Sequence, residues 1–536
     1  MLTAGALAAT AVALIPLVYL LLRTVQAGLP AWWDRVTTPR VAELTMTSIL
    51  LGVVVSVGCL VVGVGSAYLV TRTNVPGRGL FAVVAALPLA VPSYVAAFTW
   101  VSVADLWSST ARFEGFWPAA LVLTLYTYPY VYLPVAAALV GADQAQEEVA
   151  RSLGRGPWST LFTVTLPQVR PAVAGGSLLA VLYVLADFGA VSILRVDTFT
   201  RAIFTAFTAG FDRIGALTLS TLLLLLTLVI LTLESRTRRS GARYSSRGTS
   251  RPVQPADLGV WRWAGLAGLL AVAAAALGVP ALSMVRWVGA GVSRPDSVAD
   301  VAAAAAGSLS VSLAGTVVTM LLAVPVGLLA ARHSSRLSAA LERAAYVAHS
   351  LPGIVVGLSL VFFGVTVALP LYQTTWLLAL AYATLFLPLG VAAVIGAAGQ
   401  APPSLEEVGQ SLGRNRWEVF RTITLPLTMP GVGAGAALVF LACMKELPAT
   451  LLLRPTGLDT LATELWQATG VQRYAEAAPY AFLLVVLAAL PTWVLARRTG
   501  VVGAPRLERR PEVLDLVTED PGDNRVLTGA GTGGEQ

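Results

Sequence analysis

Charge is scarce in this chain. Only 12% of its 536 residues are Asp, Glu, Lys or Arg, about half the fraction usual in a soluble protein. Lysine is nearly missing: Lys445 is the one lysine, and arginine supplies the other cations. A P-loop needs Gly-x-x-x-x-Gly-Lys-Ser/Thr, with the lysine reaching nucleotide phosphates. Lys445 is followed by Glu446 in an apolar run, so the sequence carries no P-loop. Histidine and cysteine are down to two each. Cys59 and Cys443 fall in hydrophobic runs, as packing residues do, and make neither a disulfide framework nor a metal motif. His333 sits in the basic stretch ARHSSR and His349 precedes Leu351-Pro352, so no metal site is expected. HExxH and GxSxG are absent, which argues against a metalloprotease or an α/β-hydrolase. The formal charge of +7 belongs mostly in loops and gives no reason to expect nucleic acid.

What the chain has is apolar sequence: 56% hydrophobic residues and a mean hydropathy of +0.75. Runs of about 20 apolar residues recur, each long enough to cross roughly 30 Å of hydrocarbon as a helix. Barrel strands would show short alternating segments instead. The expectation is an all-α polytopic membrane protein with the lipid bilayer as its solvent. Twelve spans are expected near 6–23, 45–70, 80–104, 117–140, 172–194, 214–233, 263–285, 308–331, 345–367, 375–396, 431–453 and 477–496. The first run lacks a basic leader region and a cleavage site, so it reads as a retained span. Asp105 is expected at the outer end of the third.

Arginine sets the orientation. The stretch SRTRRSGARYSSRGTSRPVQP carries six arginines between Arg236 and Arg251. It reads as a disordered cytoplasmic linker, 235–262, between a first half (1–234) and a second (263–497). Six spans before it and six after it place both termini in the cytoplasm, with 498–536 as a disordered tail. The halves repeat. EEVARSLGRGPWSTLFTVTLP and EEVGQSLGRNRWEVFRTITLP match without a gap at an offset of 259. Leu194-Arg195 matches Leu453-Arg454 at that offset. Ser48, Arg72 and Pro92 match Ser308, Arg332 and Pro352 with a slip of one. An even number of spans per repeat makes the halves parallel copies about an axis along the membrane normal, with any pathway between them.

Each copy of the polar stretch, within loops 142–171 and 400–430, reads as a helix-turn-helix. Val149 and Leu153 lie one turn apart on an apolar stripe. Glu147 and Glu148 suit the positive end of the helix, and Gly154 suits its end. Pro157 restarts the chain, WSTLFTVTL continues as a second short helix, and Pro167 and Pro171 end it. Glu406, Glu407, Gly413 and Trp417 repeat Glu147, Glu148, Gly154 and Trp158. Loops between spans diverge easily, so two matched copies point to a shared shape that meets a partner, as a knob enters a groove.

Glu-x-x-x-x-x-Gly followed twelve residues later by Leu-Pro resembles the "EAA" loop of ABC-importer permeases. The resemblance makes the motif glutamates Glu148 and Glu407, the glycines Gly154 and Gly413, and the Leu-Pro pairs Leu166-Pro167 and Leu425-Pro426. Val149-Ala150 and Val408-Gly409 depart from the family's paired alanines. It implies the type I importer fold in two six-helix repeats, a bacterial cytoplasmic membrane, and coupling helices that dock into clefts on two copies of an ATPase subunit. ATP and Mg would be bound by that subunit, and this chain would hold no cofactor and catalyse nothing itself. An extracytoplasmic substrate-binding protein is the other implied partner.

Charges inside spans are costly and point to function by default. Asp187 falls in the fifth span, and Lys445 and Glu446 in the eleventh. With Tyr183 they are candidates for the pathway. The alternative is that the carboxylates cap broken helix ends, since Gly189 and Pro448 lie just beyond. ADFGAVSILRVDTFTRAIF and KELPATLLLRPTGLDTLATELW resemble the fused ferric-iron permeases, implying uptake of Fe(III). Hard Fe(III) would favour carboxylate and phenolate oxygens, which also makes Tyr94 a conceivable contact. Fused permeases for thiamine, and those for phosphonate, polyamine or sulfate, share the loop and the layout. A major-facilitator-type carrier shares the twelve parallel spans but has no need of two matched loops.

Overall fold

The computed structural model describes residues 2–104, 112–241, 255–289, 298–333, 335–348, 351–399 and 401–498. Among these, the regular structure is helical apart from one isolated bridge between Thr73 and Ala256. Nine helices there are long and apolar enough to cross a membrane: Leu2–Gln26, Pro39–Arg72, Phe116–Val140, Leu161–Ala186, Arg213–Leu233, Trp261–Gly289, Val298–Arg332, Thr375–Ala398 and Trp417–Met444. A bent pair, Arg78–Ala90 and Ser93–Ala104, makes a tenth position, and shorter apolar helices stand at Gly353–Thr366 and Tyr474–Ala488.

The second and eighth expected spans are the longest helices, Pro39–Arg72 and Val298–Arg332. Proline opens the first of them, where its missing N–H costs nothing. Both end on an arginine, which favours the negative end of a helix.

Three expected spans are interrupted. The third bends by 96° between its two helices, where Pro92 cannot donate to the ladder. In the matching place Pro352 caps Gly353–Thr366. Ala96 N–H and Val356 N–H donate to the carbonyls of Pro92 and Pro352 at 3.0 and 3.1 Å, so this matched pair does one job twice. The fifth and eleventh spans end early, at Ala186 and Met444, and short helices Gly189–Ile193 and Pro448–Leu453 follow the breaks.

The halves do not form separate cores. One buried cluster joins Leu51, Tyr94, Phe98 and Phe188 of the first half to Met284, Leu461 and Leu484 of the second. Another joins Leu20, Phe199 and Leu223 to Ile354, Leu377 and Cys443. First helices cross over: Leu2–Gln26 packs on Val298–Arg332 and Gly353–Thr366 of the other half, and Val279–Gly289 packs on Ser93–Ala104. A buried hydroxyl pair, Ser102 with Ser283 at 2.7 Å, ties the second crossing. In apolar surroundings two hydroxyls satisfy each other, because no water competes.

Both ends of the expected linker, 235–262, are ordered among the described residues. Helix Arg213–Gly241 runs into it, and its far end is docked. Ala256 donates to the Arg72 carbonyl (2.8 Å) and accepts from Asn74 N–H (3.2 Å), while Leu258 N–H donates to Asn74 Oδ1 (3.1 Å). Leu258, with Leu266 and Leu269 beyond it, buries against Val70, Val75 and Phe81. Residues 242–254, Asp105, His349 and the tail from 499 lie outside the described residues.

Candidate functional site

The two polar loops fold alike. Helix Gln144–Ser152 ends at Gly154 and helix Pro403–Ser411 at Gly413, with φ of +82° and +86°. Only glycine takes that left-handed conformation without strain. Gly154 N–H donates to the Arg151 carbonyl (2.9 Å) and Arg155 N–H to the Ala150 carbonyl (3.1 Å). Gly413 and Arg414 repeat these bonds to Gln410 (3.0 Å) and Gly409 (3.2 Å). This paired closure is the Schellman motif, which satisfies orphan carbonyls at a helix end. Each arginine then folds onto the following segment: Arg155 donates to Thr163 Oγ1 at 2.7 Å, and Arg414 to Thr422 Oγ1 at 2.8 Å.

The prolines do not end the second helix of either loop. Pro157–Thr160 and Arg416–Val419 pass through one wide π turn, Leu161–Thr165 or Phe420–Thr424, straight into the spans. Pro167 and Pro426 follow that turn, which absorbs the break in the i→i−4 ladder that a missing N–H makes.

The neighbouring glutamates part company. Glu148 and Glu407, the motif pair, are exposed. Glu147 and Glu406 turn inward, Glu147 to only 8% exposure. Glu147 Oε1 accepts from Thr165 Oγ1 (2.9 Å) and lies 3.5 Å from Arg72 Nη1. Glu406 Oε1 accepts from Thr424 Oγ1 (2.9 Å) and from Arg332 Nη2 (2.6 Å). Arg72 also donates to the Leu139 carbonyl at 2.6 Å. Of the two adjacent glutamates only one in each pair is presented outward. The other is an inward anchor, buried in the first half and half-buried in the second, because a helical turn of about 100° separates neighbours and only one of them faces the span. The partners were legible, since TVTLP and TITLP repeat the threonines and Arg72 repeats as Arg332, but not which glutamate they meet.

The opposite face is apolar and open. Leu153 and Leu412 are 76% and 77% exposed, and Val149, Val408 and Phe162 are exposed as well. Trp417, also exposed, stacks on Phe420 with ring centroids 5.6 Å apart. Trp158 stands in helix Pro157–Thr160, and its side chain lies outside the described residues. Large aliphatic side chains bared at one spot on each half form a surface suited to burial by another protein.

The buried charges sit at the breaks. Asp187 Oδ1 accepts the N–H groups of Ala190 (3.0 Å) and Val191 (3.2 Å), and its carbonyl accepts from Thr200 Oγ1 (2.6 Å). Ser93, the first residue beyond the bend of the third span, stands against the same carboxylate. Glu446 Oε1 accepts from Ala449 N–H (3.1 Å). A Cβ on Gly353, the counterpart of Ser93, would lie 2.3 Å from that oxygen. Each carboxylate thus caps the short helix after its own break. Lys445 does not pair with Glu446; its ammonium reaches the Leu89 carbonyl of the other half at 3.2 Å. Tyr183 packs against Tyr130 with ring centroids 5.4 Å apart and the rings tilted by 41°. Tyr94 is buried with its hydroxyl unpartnered, packed on Gly189 where a Cβ would approach within 2.6 Å. Just beyond Asp187, Phe188 meets Phe204 (4.9 Å) and Trp466 of the second half (5.0 Å). His333 is exposed, and no cluster of three metal-ligating His, Cys, Asp or Glu occurs among the described residues.

Two interleaved helical halves, each presenting one polar helix-turn-helix, define an ABC-importer permease of the fused two-half type. The chain belongs to the family of binding-protein-dependent transport system inner membrane components, which matches residues 59–239 and again 323–506. It is a multi-pass inner-membrane protein and a translocation subunit. It is 36% identical over 487 residues to the Fe(3+)-transport system permease protein FbpB 2 of Haemophilus influenzae, covering 90% of this chain and 95% of that one. The sulfate transport system permease protein CysW of Escherichia coli is 25% identical over 248 residues, 43% of this chain and 84% of its own. The molybdenum transport system permease protein ModB of Escherichia coli is 31% identical over 140 residues, 24% and 60% of the two chains.

Proposed function

We propose that the chain carries ferric iron, received from an extracytoplasmic binding protein, through a pathway between its halves, driven by two copies of an ATPase subunit docked on the two polar loops. The observation that carries the substrate is the likeness to a ferric permease along nearly the full length of both chains. For coupling it is the pair of matched loops with bare leucines at their tips. On this reading the halves are 1–234 and 263–497, and the loops, the linker 235–262 and both termini face the cytoplasm. The chain binds neither ATP nor Mg, which stay on the partner. Leu153, Leu412 and Trp417 enter the ATPase clefts, with Glu148 and Glu407 at their rim. Asp187, Glu446, Tyr183 and Lys445 border the pathway, since the breaks that place them are where the halves interlock.

A second reading, an oxyanion permease, draws on the sulfate relatives and on Lys445, whose partner is a carbonyl and not a carboxylate. ATP-driven uptake in proteoliposomes with the ATPase and a candidate binding protein separates the two. Ferric iron uptake is expected. Sulfate uptake without iron uptake would overturn the substrate and leave the coupling reading standing.

A further inference from the structure

The helices Gln144–Ser152 and Pro403–Ser411 pack mainly against the segments that follow them in sequence. Their strong polar link to a more distant span is the arginine-glutamate pair, buried in the first half and half-buried in the second. Arg72 and Arg332 close the two longest helices, and each of those helices is held a second time toward its other end, at Ser48 or Ser308. Ser48 Oγ accepts from Phe199 N–H at 3.2 Å, and Ser308 Oγ accepts from Leu461 N–H at 2.8 Å. Phe199 and Leu461 begin the helices Phe199–Thr208 and Leu461–Gly470, which follow the breaks at Asp187 and Glu446. From arginine to serine each rod is about 36 Å long. One end is bonded to a polar loop and the other to the segment beyond a broken span.

We propose that Glu147 and Glu406 are positioning residues for energy coupling. Through Arg72 and Arg332 they join each docking helix to a rigid rod, which carries its displacement across the membrane to the segment beyond the break. The inference rests on the coupling reading above. The exposed leucines grip the partner, and the arginine-glutamate pair passes the movement on. Both rods are continuous helices, the second lacking only the N–H of Pro325, and a continuous helix transmits a push at one end as a shift at the other, whereas a flexible loop would absorb it. In each half one carboxylate oxygen is shared between a threonine of the following turn and the rod's arginine. Helix and rod are therefore held at one point. The arrangement occurs twice, at matched positions.

The test uses the full chain reconstituted with its ATPase and binding protein. It measures uptake per ATP hydrolysed and co-purification of the ATPase. In the double variant Glu147→Gln with Glu406→Gln the ATPase is expected to stay bound while uptake per ATP falls at least tenfold. Exchanging the charges, Arg72→Glu with Glu147→Arg and the same exchange in the second half, is expected to restore at least half of it. Unchanged uptake per ATP would overturn the proposal. Loss of the ATPase would too, since the pair would then belong to the docking surface. Should the glutamine variant not fold, Thr165→Val with Thr424→Val removes one hydroxyl from each junction. It is expected to lower uptake per ATP at least twofold, and no change would overturn the proposal. If uptake by the unmodified protein does not depend on ATP, the coupling reading fails first.

Discussion

The two halves are alike where they turn outward and unlike where they turn inward. Both loops close on a left-handed glycine, fold an arginine onto a threonine and turn one glutamate inward onto the end of a rod. Inside, the first half has Asp187 against Ser93, where the second has Glu446 against Gly353. Ala186 stands where Lys445 stands, and Phe188 where Leu447 stands. On the proposed function, two like partners would hold the loops alike, while a single solute passing between the halves would leave their inner surfaces free to diverge. The anchors differ in degree. Arg332 meets Glu406 at 2.6 Å, whereas Arg72 lies 3.5 Å from Glu147, bonds the Leu139 carbonyl and is clipped at its own carbonyl by Ala256.

The largest expected effect tests the likeness of the loops. Valine at either glycine must adopt a left-handed backbone, which costs an L-residue about 1–2 kcal/mol, and is a poorer choice still for being β-branched. Gly154→Val and Gly413→Val are each expected to cut ATP-driven uptake several-fold, and the double variant about tenfold or more, with the protein still inserted. The singles should agree within about threefold. A wide disagreement would show that the loops are not equivalent in use, however alike their backbones.

The next test tries to break the unlikeness inside. Gly353→Ser puts a side chain against the Glu446 carboxylate and the Pro448 ring, which a Cβ would approach to 3.1 Å. The carboxylate must leave the Ala449 N–H, and a buried donor left unmet costs about 1–3 kcal/mol. The single variant is expected to melt lower in detergent. Adding Glu446→Asp shortens the acid by one methylene, reproduces the arrangement at Ser93 and Asp187, and is expected to recover most of the loss. No recovery would mean that the two breaks are not variants of one design.

Much of this was legible in the sequence because it was written twice. Ser48, Arg72 and Pro92 recur as Ser308, Arg332 and Pro352; the serines and arginines tie elements together and the prolines each open a helix. The left-handed glycines were legible from their place after an amphipathic stripe. The choice between adjacent glutamates was not: Glu147 and Glu148 are chemically identical, and only the helix rotation, fixed by Arg72, buries one. The π turns were hidden as well, since a proline after a short helix reads as an end. The docked end of the linker was hidden by composition, because Pro255, Ala256 and Asp257 look like coil, while Ala256 is held by backbone bonds and Asp257 by the Asn74 side chain.

The smallest expected effect weighs the far ends of the rods. Ser48→Ala and Ser308→Ala each leave a backbone N–H, of Phe199 or Leu461, without its acceptor in a buried place. A single hydrogen bond is worth about 1 kcal/mol net, so both variants should fold and insert. Ser308 holds the shorter bond, 2.8 against 3.2 Å, and its loss is expected to lower the melting temperature more. Threonine at either position keeps the hydroxyl and is expected to melt within experimental error of the parent. If alanine and threonine behave alike, packing and not the hydroxyl holds the rod. If Ser48→Ala is the worse of the two, bond length does not rank the two ends, and the first half leans harder on its far end because its near end holds its glutamate at 3.5 Å instead of 2.6 Å.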